Sequence, residues 1–152
     1  MIEHLNPSNI CKVTSGVVVH GCNAQGAMGS GVAKQLRAKY PEIFYDYVEN
    51  LAVYRVQSIT ALGQVVFVKV SPTLTIANAI TQEFYGREDW VYLNYTALSI
   101  ALNRVATKYP KDTPIHLPYL IGAGLAGGDP ETILEIISDV FKEHTVYFHH
   151  WK

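Results

Sequence analysis

"HGCNAQGAMGSGVAKQL", residues 20–36, follows directly on the apolar run "GVVV" of residues 16–19. A β-branched run of this kind predicts a strand buried on both faces. Glycines then stand at 21, 26, 29 and 31, and beyond them Val32, Leu36 and Tyr40 recur at four-residue spacing. That spacing is one face of a helix. A strand that passes through a glycine-dense turn into a helix lets backbone N–H groups approach a ligand closely, and the helix N-terminus adds a partial charge that favours an anion. Residues 26–31 read G-x-x-G-x-G. The dinucleotide fingerprint G-x-G-x-x-G and the phosphate loop G-x-x-x-x-G-K-[ST] are both absent.

The same alternation continues along the chain. "PEIFYDYVENLAVY" predicts a second helix, with Pro41 closing the first or opening the next. "QVVFVKV" and "LTIANAI" are apolar runs joined by "SPT", a hairpin pattern. "FYGRED" reads as a loop. "WVYLNYTALSIALNRVATKY" carries Val91, Tyr95, Leu98, Leu102 and Val105 on one helical face. "PIHLPYLIG" predicts a short strand that leads into a second glycine cluster, "IGAGLAGGDPE". There Asp129 and Pro130 form a helix start, aspartate as cap and proline at the first position. "ETILEIISDVFKEH" is the helix, and "TVYFHHW" a last strand. Strands interleaved with helices imply a three-layer α/β/α domain with a mixed central sheet, a single domain over residues 1–152. Ligands in such sheets gather at the carboxyl ends of strands. Both glycine clusters follow strands, so the two loops are expected to line one cleft.

Composition narrows the function. Of 152 residues, 49% are hydrophobic and 16% charged, enough for a core and too apolar for disorder. A net charge of -1 gives no global attraction to nucleic acid or anionic membrane. Cys11 and Cys22 have no metal or redox spacing, so reduced thiols are expected. The start lacks the charged and apolar regions of a signal peptide, and no apolar stretch is long enough to span a membrane. These features predict a soluble, cytoplasmic monomer without a cofactor or bound metal.

"VVVHGCNAQGAMGSGVAKQL" paired with "LPYLIGAGLAGGDPE" resembles the macrodomains, the ADP-ribose-binding fold, from about Ile2 to Phe148. In that family an asparagine follows the strand, the first loop lies beside the distal ribose and the second wraps the diphosphate. "HGCNAQGAMGSGVAKQLRAKYP" most resembles the branch of yeast-type ADP-ribose 1''-phosphate phosphatases and terminal ADP-ribose-glutamate hydrolases. By that match His20 and Asn23 inherit candidate catalytic roles. His20 has the pKa class of a general acid or base, and Asn23 would orient the ribose hydroxyls or an attacking water. A core histidine and a turn-forming asparagine are the plain readings of the same residues. The backbone N–H groups of Gly29, Ser30, Gly31 and Val32 would hold a terminal phosphate. Those of Ile121, Gly122, Ala123, Gly124, Leu125 and Ala126 would hold the diphosphate.

The chain departs from the family in places. "NAITQEF" offers Thr81 and Gln82 where the glutamate-type hydrolases carry a lysine. Ala126 stands where hydrolases of protein adducts have an aspartate, and the nearest acid is Asp129, either a helix cap or a water-orienting base. Asn6 takes the place of the adenine-recognising aspartate, and its amide oxygen can accept from the adenine amino group. The resemblance therefore implies an enzyme that removes the phosphate from ADP-ribose 1''-phosphate. The alternatives are an ADP-ribosyl hydrolase acting on protein or nucleic acid, a non-catalytic reader of ADP-ribose, and a domain for another nucleotide diphosphate. ADP-ribose or its 1''-phosphate is the expected partner, with nucleic acid only as a modified substrate.

Overall fold

A computed structural model describes residues 1–85, 91–119, 121–123 and 126–151. In chain order its elements are β1 (Ile2–Leu5), a 3-10 turn (Ile10–Lys12), β2 (Gly16–Asn23), α1 (Gly31–Lys39), α2 (Glu42–Val56), β3 (Val65–Lys69) and β4 (Leu74–Gln82). After these come α3 (Tyr95–Lys108), β5 (Ile115–Pro118), α4 (Pro130–Val140) and β6 (Val146–His149). Val17 and Val19 pack under α3 and α4, whereas Val18 and Cys22 pack under α1 and α2. Successive residues of a strand point to opposite faces, so β2 needs both helical layers, and its apolar run is the imprint of that need.

The sheet order is β1-β6-β5-β2-β4-β3. All neighbours are parallel except the β3/β4 hairpin. The fold is thus the expected three-layer α/β/α arrangement with a mixed sheet. From β2 the chain goes through α1 and α2 to β3 and β4 on one side, then crosses to β5 and β6 on the other. The order therefore reverses between β2 and β5. Loops leaving these two strands diverge to opposite faces and open a crevice at their carboxyl ends. At that end β2 also slips register against β4, Cys22 pairing with Ile80 but Asn23 with Gln82.

Two elements differ from expectation. The helix anticipated from Trp90 begins at Tyr95, because the Asn94 side chain accepts from Ala97 N at 2.9 Å and so caps it. Val91 lies outside the helix and is exposed, while Trp90, like residues 86–89 of the expected loop, falls outside the described residues. β1 was not anticipated: it is a four-residue edge strand paired with β6. Among the described residues no helix is long and apolar enough to cross a membrane.

Beside the edge strand, Ser8 Oγ lies 2.7 Å from His149 Nδ1, and His149 Nε2 lies 2.8 Å from His116 Nδ1. His116 is also bonded to the Ser15 backbone. A chain of this kind holds one proton per link, so the two rings cannot both be charged. Burial, then the neighbouring His149, pushes the His116 pKa down to about 4, and burial lowers that of His149. A histidine depressed in the folded state contributes stability that is complete above its ordinary value near 6.5 and is lost as pH falls towards the folded value. The urea midpoint should therefore fall between about pH 6.5 and about pH 4, and the fall should be shallower in His149→Asn.

Candidate ligand cleft

The crevice between β2 and β5 is a cavity of about 550 Å³. One wall comes from the loop after β2 and the start of α1, including Asn23, Gly29, Ser30, Gly31 and Val32. The facing wall comes from the end of β5 and the second glycine loop, including Tyr119, Ile121, Gly122 and Ala126. The floor is the end of β2, residues 20–22, with Thr81 and Gln82 of β4 beside it. The structure thus brings together nine of the expected residues, His20 and all the wall residues just named except Tyr119. Ala123 packs against the α3/α4 core, and Asn6 is exposed at the end of β1, two strands from β5; neither lines the cavity. Gly124 and Leu125 lie outside the described residues.

The first wall suits an anion. Ser30 precedes α1 without a capping side-chain bond, and no acid occupies the first turn. The first amides of the helix keep their donors and their share of the helix dipole. A Cβ built on Gly29 would meet nothing within 4 Å, so the space above is open. Among the described lining residues there is no Asp, Glu, Lys or Arg, and no cluster of three metal-ligating side chains occurs among the described residues. Polar character here comes from backbone amides, the Ser30 hydroxyl and the side chains of Asn23, Thr81, Gln82 and two tyrosines.

His20 lies in the floor of this cleft and is 1% exposed. Its Nε2 is 2.5 Å from Asn78 Oδ1, while Asn78 Nδ2 donates to Ile43 O at 3.2 Å. The second bond fixes the amide orientation, so His20 Nε2 is the donor. Burial pushes its pKa down to about 4 against the bond to Asn78. The ring is neutral at pH 7, which makes it a poor proton source. Cys22 Sγ stands 3.7 Å from the same ring, and burial pushes that thiol up, so no thiolate forms. Asn23 is 7% exposed, and its amide groups are engaged. Oδ1 accepts from the N–H of Gln25 (3.0 Å) and Ala27 (3.2 Å), and Nδ2 donates to Ala27 O (2.9 Å). It is the knot of the first loop. Asp129 is exposed and outside the cavity lining. Its Oδ2 accepts from Thr132 N and Thr132 Oγ1, which caps α4 and holds the carboxyl below its ordinary value.

No family model matches the chain. It is 33% identical over 89 residues to the ADP-ribose 1''-phosphate phosphatase of Saccharomyces cerevisiae, 55% of this chain and 49% of that protein. The chain thus spans about half the length of that curated relative. A Bacteroides thetaiotaomicron protein of unknown function superposes with a TM-score of 0.81 at 29% identity, over 99% of this chain and 98% of the other. A macrodomain protein from Streptomyces coelicolor does so with a TM-score of 0.74 at 29% identity, over 98% and 99%. The chain has the macrodomain fold.

Sequence reasoning missed several residues of this cleft. Tyr119 is 41% exposed on the wall and stacks on His150 at 3.7 Å. Tyr85 also lines the cavity, and its N–H is held by Gln25 Oε1 at 3.0 Å, which joins the first loop to the segment after β4. Tyr47, 24 positions beyond Asn23, hydrogen-bonds that same loop. Tyr47 and Tyr85 left no local signal, since each lies outside the two glycine clusters, and Tyr119, directly after β5, fits no pattern that marks a ligand contact. The second loop is closed by Gly128 N–H donating to Gly122 O at 2.9 Å, with Leu93 beneath. A Cβ on Gly128 would stand 2.5 Å from Leu93 Cδ2 and 2.8 Å from Gly122 O. Gly128→Ala should therefore cost about 1–3 kcal/mol, whereas Gly29→Ala should stay within about 0.5 kcal/mol of wild type. Urea unfolding of both variants measures the contrast.

Proposed function

We propose that the cleft binds ADP-ribose and that the protein removes the terminal phosphate from ADP-ribose 1''-phosphate. The observation that carries this reading is the pair of loops facing each other across one cavity, with the uncapped N-terminus of α1 in one wall. The amides at Gly29, Ser30, Gly31 and Val32 take the terminal phosphate, and those of the second loop take the diphosphate. The similarity to the yeast ADP-ribose 1''-phosphate phosphatase supports the choice of substrate.

Hydrolysis joins a water oxygen to phosphorus, breaks the bond to the sugar oxygen and leaves a proton on that oxygen. Charge builds on the phosphoryl oxygens, where fixed backbone donors act. Asn23 serves by shaping the loop, His20 by filling its floor as a neutral ring, and Asp129 by fixing the start of α4. One observation favours a second reading, recognition without turnover: the described lining offers no carboxylate or ammonium group for acid–base work. Lysine-dependent hydrolysis of protein or nucleic-acid adducts lacks its lysine, the equivalent stretch being Thr81 and Gln82, and hydrolysis through Asp129 lacks that carboxylate in the described cavity lining.

Purified protein with ADP-ribose 1''-phosphate should release inorganic phosphate, and calorimetry should show ADP-ribose binding. Gly29→Val fills the open space and should lower kcat/KM at least about tenfold, a loss of about 1.4 kcal/mol of transition-state stabilisation. Binding without release would leave recognition as the function. No binding would overturn both readings.

A further inference from the structure

The buried face of α2 is Ile43, Tyr47 and Leu51, spaced four apart. Packing alone would be served by phenylalanine at the middle position, since the ring is 0% exposed within an apolar cluster. The hydroxyl is the group that packing leaves unexplained. It lies 2.5 Å from Asn23 O and 2.9 Å from Asn23 Oδ1, and it accepts from Gly26 N–H at 3.2 Å. A hydroxyl has one proton. Asn23 Oδ1 already receives two backbone donors, so the proton goes to the Asn23 carbonyl. Tyr47 thereby grips the loop at two backbone points three residues apart.

Gly26 sits at φ +85, a conformation that turns its N–H back towards α2 and that side chains rarely adopt. Beyond it, the Asn23 carboxamide binds both polar backbone atoms of Ala27. Four residues further on α1 begins, and Arg37 of α1 rests over the Phe44 ring of α2 at 3.6 Å. One helix, α2, thus holds the loop where it leaves β2 and also holds the helix into which it runs.

We propose that Tyr47 is a positioning residue of the cleft: its hydroxyl fixes the first glycine loop so that the amides at Gly29, Ser30, Gly31 and Val32 are aimed before a ligand arrives. The proposal rests on the ligand reading given above for its consequence, but not for its geometry. Binding to a loop already ordered avoids the entropy of ordering it.

Tyr47→Phe keeps the ring and removes the hydroxyl. ADP-ribose affinity by calorimetry, at a temperature where every variant is folded, should fall at least tenfold. Val105→Ala, a cavity in the α3 core away from the cleft, serves as a destabilised control and should stay within twofold of wild type. Equal affinities for the two variants would overturn the proposal. Amide hydrogen exchange of the unmodified protein gives the second arm. Gly26 N–H should exchange far more slowly than Gly29 N–H, and equal rates would overturn the proposal even if Tyr47→Phe does not fold. If wild type fails to bind ADP-ribose, the ligand reading falls, and the exchange ratio alone decides the role of Tyr47.

Discussion

The fold depends on covering β2 from both sides. Val17 and Val19 require α3 and α4, and Val18 and Cys22 require α1 and α2. Once both layers are in place, β2 becomes the strand from which the chain departs in both directions, to β4 on one side and to β5 on the other. The crevice is a consequence. Loops that leave neighbouring parallel strands for opposite layers cannot fill the gap between them. Hydrophobic burial of one short strand therefore sets the location of the site before any polar residue is considered.

The layers also decide the chemistry of the floor. Residue 20 falls on the α2 side of the strand, where Asn78 of β4, itself held by the Ile43 carbonyl of α2, stands ready to bond it. A histidine there is desolvated as thoroughly as a core leucine. Burial disfavours its charged form, and a single amide partner does not offset the loss of water. The residue type usually read as a proton carrier is in this position a shaped, neutral spacer. The same burial holds the Cys22 thiol protonated.

What was legible in the sequence was whatever leaves a local trace. The apolar run of β2, the glycines after it, the heptad-like face of α3 and the Asp129–Pro130 start of α4 each act within a few residues. The start of α3 was misplaced because Val91 fits the helical spacing, whereas the Asn94 cap competes and wins. β1 was invisible because four residues paired on one side alternate too briefly to register. At the site, the loop backbones were foreseeable, since glycine marks close approach. The orientation of His20 was not, because alternation shows that residues 18, 20 and 22 share a face but not that α2 reaches far enough to cover residue 20. Tyr47 was out of reach of any local pattern.

A cleft whose described walls carry no ionised side chain would recognise an anion, as proposed above, by geometry. The chain's net charge of -1 gives no long-range steering. Backbone donors act only within hydrogen-bond range, and their contribution falls steeply when angles deviate. A lysine tolerates a loop that moves, because its flexible stem follows the ligand. A row of amides has no such freedom. Affinity for such an anion would therefore reside in the rigidity of the two loops, and both are tied from behind. The first is knotted by Asn23 and gripped from α2, and the second is closed at the Gly122–Gly128 neck over Leu93. Loosening either tie would remove binding energy without touching a ligand-facing atom.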